Sequence, residues 1–242
     1  MPSTTCETDT AEHRDEVLAL ADDALIASHR LSEWVARSPE LEEDVALANI
    51  ALDLLGQARL LLTYAGELSD PPLSEDDLAY VRPATAFHNA TLLERPQPDF
   101  AVAIVRVLLL AAYQHARYTA LLDSPDQRLA AIAAKAVKEV AYHRDHGRLW
   151  TLRLGDGTGE SHRRMQDALD AEWPWFCALL EGSGVVAETL AYLEGVLDEA
   201  TLGRPFDAVA EPSGREGRHT EHLAEILAQM REVTAAHPGA TW

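Results

Sequence analysis

Two otherwise apolar stretches carry polar side chains at helical spacing. In the first, Asn49, Asp53 and Gln57 interrupt a run that is apolar nearly all round, from Val45 through Leu47, Ile50, Leu52, Leu54 and Leu55 to Leu60, Leu61 and Leu62. Steps of four residues put the three polar groups on one face, and a buried polar stripe is costly unless something satisfies it. The second stripe is Lys135, Lys138, Glu139, Tyr142, His143 and His146, three or four apart along an alanine-rich segment. Histidines and carboxylates on helix faces are the materials of di-iron centres in helical bundles. The donor count argues against such a centre here. Two irons take about four carboxylates and two imidazoles, whereas one stripe offers a single Asp with two amides and the other a single Glu with histidines. The intervening segment has no acid between Asp99 and Asp123. Glu139 and His143 stand at i, i+4 rather than i, i+3, and Lys138 puts a cation where a metal would sit. The expectation is a degenerate site, a polar network of Asn49, Asp53, Gln57, Lys138, Glu139 and His143 with no metal ligand and no catalytic residue. The competing reading is an unusual metal site around Glu139, His143 and His146, with His115 or Glu33. Lys135 and Lys138, the chain's two lysines among 20 basic residues, either neutralise Asp53 or Glu139 or sit exposed.

Other candidates are weaker. His219 and His222 have a His-x-x-His spacing at the start of a helix but no third ligand, so capping or contact with a neighbouring protein is expected, and Trp34, His219, Glu221 and His222 are possible interface residues. Cys177 lies in the aromatic stretch Glu172-Trp173-Pro174-Trp175-Phe176, which reads as core. No Ser/His/Asp arrangement and no phosphate-cradling glycine loop stands out. A formal net charge of −20 repels nucleic-acid backbones and anionic lipid, which disfavours both as partners. Two distant cysteines, Cys6 and Cys177, and no apolar leader near Met1 suggest the cytoplasm. Asp53, Gln57, Arg106 and Gln114 interrupt the longest apolar stretches, so no membrane span is expected.

The elements that must position these residues are helical, since strand and hairpin signals are missing. Residues 1–15 are polar and aperiodic and read as a flexible tail, leaving 16–242 as one domain. A helix over 16–37 pairs with one over 39–68, with Ser38 as N-cap and Pro39 at the first helical position. A short helix near 75–81 follows in a Pro-rich crossover. Asp99 caps a helix to Leu122, and Ser124 opens another that ends before Gly155. Helices over 162–181, bent or broken near Pro174, and 185–202 lead to a loop over 203–217 and a last helix over 219–236. Two long hairpins joined by a crossover form the pattern of an all-α, ferritin-like four-helix bundle, here with additional C-terminal helices.

Several segments together resemble the non-catalytic C subunits of bacterial phenylacetyl-CoA epoxidases: 31–34 (Leu-Ser-Glu-Trp), 39–42 (Pro-Glu-Leu-Glu), 47–50 (Leu-Ala-Asn-Ile), 52–59 (Leu-Asp-Leu-Leu-Gly-Gln-Ala-Arg), 134–143, 217–222 (Gly-Arg-His-Thr-Glu-His) and 238–242. The resemblance implies a ferritin-like fold and a structural role beside a related di-iron A subunit, as a heterodimer doubled into a heterotetramer and served by a reductase. In that catalytic relative the second and fourth helices carry Glu-x-x-His pairs. At the matching positions this chain has Leu54 with Gln57 and Val140 with His143, and Ala111 stands where the relative has an acid. The alternatives are a ferritin-like metalloenzyme with its own site, a component of a related acyl-CoA oxygenase, or a stand-alone helical binding module.

Overall fold

A computed structural model describes residues 4–237 and 240, with side chains from residue 12 onward. The described residues form helices and no strand, which establishes the all-α class. The chain divides into two compact units, Met1–Pro96 with Pro212–Trp242, and Gln97–Glu211.

The first unit is built on an antiparallel hairpin of α1 (Thr4–Ser32) and α2 (Leu41–Glu67). Helix α1 takes in most of the stretch read from sequence as a tail; residues 1–3 lie outside the described residues. Small residues let the two helices approach: Ser28 Oγ donates to the Ala51 carbonyl at 2.7 Å. Near the other end the His13 ring meets Tyr64 edge-on. The N-cap of α2 is Glu40, not Ser38. Trp34 and Ala36 form a turn first, with Ala36 at φ 65°, and Ser38 instead gives its backbone N–H to Asp44 Oδ1 at 3.0 Å. The crossover carries single short turns at Asp77–Val81, Ala84–Ala86 and Thr91–Leu93. Helix α7 (Glu221–Ala236) buries Leu223, Ile226, Leu227 and Met230, an i, i+3, i+4, i+7 stripe, against α1 and the crossover turns.

The second unit holds α3 (Phe100–Leu121), α4 (Gln127–Gly155), α5 (Gly159–Leu180) and α6 (Val186–Glu199). Asp99 caps α3 as expected, accepting from the Val102 N–H at 3.0 Å. The cap of α4 is Asp126 rather than Ser124: its carboxylate takes the N–H groups of Arg128 and Leu129, and the Ser124 hydroxyl accepts from Asp126 one step earlier. The α3–α4 register is set where Gly147 meets Leu108; a Cβ on Gly147 would come within 3.0 Å of the Leu108 backbone. Helix α5 runs unbroken through Pro174. Burial of Trp173 and Phe176 outweighs a proline penalty of about 3 kcal/mol. The segment after α6 braces this point, where Trp173 Nε1 donates to Asp207 at 3.0 Å and the Ala210 N–H to the Pro174 carbonyl at 3.0 Å. Arg106 on α3 and Glu172 on α5 form a buried bidentate pair at 2.9 and 3.2 Å.

By length and composition alone α2 and α3 would suffice to cross a membrane, because their polar interruptions are too few to lower mean hydropathy below 1.5 and 1.3. The α3 window is 78% buried within the protein and is a core helix; the α2 window is 44% buried.

Removing one partner of a buried ion pair strands the other charge, at a cost of about 3–5 kcal/mol, whereas removing both can be nearly neutral. Arg106→Met is therefore expected to lower unfolding free energy by about that amount, and Arg106→Met with Glu172→Leu to recover most of it. Denaturant unfolding of the two variants checks this; equal losses in both would show that the pair's geometry, not its charge, matters.

Candidate functional site

The two polar stripes are not uniformly inward. On α2, Asn49 is exposed, Asp53 half-buried and Gln57 buried. On α4, His143 is buried, while Lys135 and Lys138 are exposed and Glu139 pairs with Lys135 at 3.6 Å along the helix. Both lysines therefore sit at the surface, and Tyr142 beside them is 79% exposed. Of the positions that the resemblance matches to metal ligands of a catalytic relative, Leu54, Ala111 and Val140 are buried hydrocarbon and Gln57 is a buried amide. Glu33 is drawn off by Arg30 at 2.7 Å, and His115 faces Arg144. Among the described residues no group of three or more His, Cys, Asp or Glu side chains is placed to hold a metal ion. Leucine, alanine and valine side chains carry no donor atom for a metal, so these positions do not fit the ligand set of a di-iron centre.

The densest polar cluster lies elsewhere, within the first unit, and sequence reasoning missed it. Glu94, fully buried in the crossover, receives Asn89 Nδ2 at 3.0 Å and His219 Nδ1 at 2.5 Å on one oxygen. The other oxygen takes the Thr220 N–H and hydroxyl at 2.8 and 2.7 Å. His219 Nε2 faces the Phe87 carbonyl at 2.9 Å. On α1, buried Asp22 and Asp23 are answered by Arg82 and Arg215 at 2.5 and 2.6 Å. Gly217 allows the turn into this cluster; it sits at φ 70°, and a Cβ there would lie 2.6 Å from the Thr85 carbonyl oxygen. His219 is thus bound inside the unit and not part of an exposed His-x-x-His, which corrects its reading as an interface residue. Trp34 is buried as well, with Arg37 over its ring. Glu221 stays exposed and His222 half-buried, 3.6 Å from Glu225. A signal was available: Asp22 and Asp23 break an apolar helical run as sharply as Asn49 and Asp53 do.

A family model described as phenylacetic acid catabolic protein matches residues 1–242. The chain belongs to that family. The family is ferritin-like, which accords with the long helices α1–α5 and the absence of strands among the described residues. Within it, the chain is 42% identical over 241 residues to the C subunit of 1,2-phenylacetyl-CoA epoxidase from Escherichia coli strain K12, covering 93% of this chain and 97% of the relative. In the structure the 217–222 segment is a clasp that closes over Glu94.

His219 has acceptors at both ring nitrogens, so the protonated ring satisfies both. Burial alone would lower its pKa, but the hydrogen bond and charge of Glu94, with the Phe87 carbonyl, outweigh it and raise the value above the usual one. A raised folded-state pKa gives stability that is complete below the unfolded value of about 6.5 and is lost as pH rises through the folded value. The wild-type unfolding midpoint is expected to fall across that alkaline-side window. His219→Gln should be less stable at pH about 6 by about 1–3 kcal/mol and should flatten the decline. Denaturant melts at several pH values read both; an unchanged slope in the variant would assign the decline to other groups.

Proposed function

We propose that this chain is the structural, non-catalytic component of a multicomponent phenylacetyl-CoA ring 1,2-epoxidase in aerobic phenylacetate degradation, supporting a di-iron catalytic partner. The observation that carries this reading is the 42% identity, over nearly the full length of both chains, to a protein named as the C subunit of that epoxidase. The side chains support a non-catalytic role: by the resemblance, Leu54, Gln57, Ala111 and Val140 stand where a catalytic relative needs carboxylates and imidazoles. In this reading the chemistry belongs to the partner, where O2, two protons and two electrons from a reductase place one oxygen atom on the aromatic ring and release the other as water. No cofactor is assigned to this chain, and a cytoplasmic complex, without nucleic acid or membrane, is part of the same reading.

A supporting subunit needs a face for its partner, and α2 offers one. Leu41, Val45 and Leu52, at i, i+4 and i+11, are 73%, 54% and 63% exposed on one side of the helix. Solvated hydrocarbon of this extent is costly in isolation and is a common mark of a protein contact. With a net charge of −20, the contact suits another protein better than an anionic bilayer.

Two measurements test the reading. Iron per chain should be near zero for this protein purified alone, and about two per heterodimer after co-expression with the catalytic partner; near-stoichiometric iron in the lone chain would make it an enzyme instead. Leu52→Glu should leave the lone chain's melting unchanged and weaken co-purification with the partner at least about tenfold, the effect of losing about 1.4 kcal/mol. Undiminished co-purification would move the contact off α2.

A further inference from the structure

A recess of about 310 Å³ opens in the second unit between α3, α4 and α6. Its apolar wall includes Ala112, Ala116 and Val185, and its polar groups include His115, Arg144, Tyr192 and Glu188. Arg144 is the centre of the arrangement. One guanidinium nitrogen meets His115 Nδ1 at 3.0 Å. The guanidinium carbon stands 4.5 Å from the centroid of the Tyr192 ring, and the Tyr192 hydroxyl donates to the Arg144 carbonyl at 3.3 Å. An imidazole and an aromatic face fix the side chain, but neither neutralises it. One turn further along α4, Arg148 is by contrast paired with Glu199 at 2.6 Å.

We propose that this recess binds a small organic monocarboxylate, its carboxylate on the guanidinium of Arg144 and its apolar body against the alanine wall of α3. A guanidinium has five N–H donors in a planar fork, and His115 occupies one, leaving donors for a two-point contact with a carboxylate. Burial, reinforced by the charge of Arg144, holds the His115 pKa below its usual value. The ring is therefore neutral, accepts at Nδ1 and carries its proton on Nε2, a further donor on the same wall. Among the described residues Glu188, exposed on α6, is the one acid lining the recess. It disfavours a dianion such as phosphate and leaves a monoanion with a neutral tail as the better match. The volume stands at the lower end of small-molecule sites, about 300–1,000 Å³. This inference is independent of the role proposed above.

The test is calorimetric titration of the full-length protein with phenylacetate, its neutral isostere phenylacetamide, and inorganic phosphate, with the His115 ring resonances followed by NMR. Phenylacetate should bind one to one with Kd about 1 mM or tighter and shift the His115 resonances, and both other probes should bind at least about tenfold more weakly. Arg144→Gln should weaken phenylacetate at least about tenfold, while Arg148→Gln leaves it unchanged. The isotherm and the His115 shifts of the unaltered protein decide the matter even if Arg144→Gln fails to fold. No saturable binding below about 10 mM, equal affinity for phenylacetamide or phosphate, silent His115 resonances, or equal losses in Arg144→Gln and Arg148→Gln would each overturn the proposal.

Discussion

Asp22, Asp23, Glu94 and Glu172 bring four carboxylates to positions almost sealed from solvent. A buried carboxylate is tolerable only when fixed donors replace its lost hydration. The answers come from segments remote in sequence. Asp22 takes Arg82 and the His88 N–H; Asp23 takes Arg215 and the Ala90 N–H; Glu94 takes four donors, three of them from His219 and Thr220. The crossover and the segment after Pro212 therefore cannot settle independently of α1. Electrostatic necessity explains why a C-terminal stretch belongs to the same unit as the N-terminal hairpin, and why the Gly-Arg-His-Thr segment serves architecture.

This use of polar residues bears on function. A ferritin-like bundle that binds metal must aim carboxylates and imidazoles at a common point. Here buried Asp22, Asp23 and Glu172 are committed to arginines, and Glu94 to Asn89, His219 and Thr220. What remains outward is different in kind: a hydrocarbon stripe on α2 and an arginine held flat on Tyr192. The first suits a protein partner and the second a small anion, both roles that need no resident metal.

The helical class, the two long hairpins, the Asp99 cap and the amphipathic last helix were legible because each rests on local spacing: period 3.6, a capping residue, glycine and proline punctuation. Cap positions were read less well. Ser38 and Ser124 are good caps by type, but competing bonds to Trp34 and Asp126 and a turn at Ala36 moved the helix starts two or three residues on. Pro174 was expected to bend or break its helix, and the packing of Trp173 and Phe176 kept it continuous.

By itself, then, the sequence determined which segments are helical, because helicity depends on residue identity and near neighbours. It could not determine which polar residues are buried. Lys138 and Asn49 share helical periodicity with His143 and Gln57 yet face solvent, while Asp23 and Glu94 are sealed by Arg215 and His219, more than 120 residues away. Burial and pairing of charge are set by which distant segments close over a side chain, a property of the folded chain that no local pattern encodes.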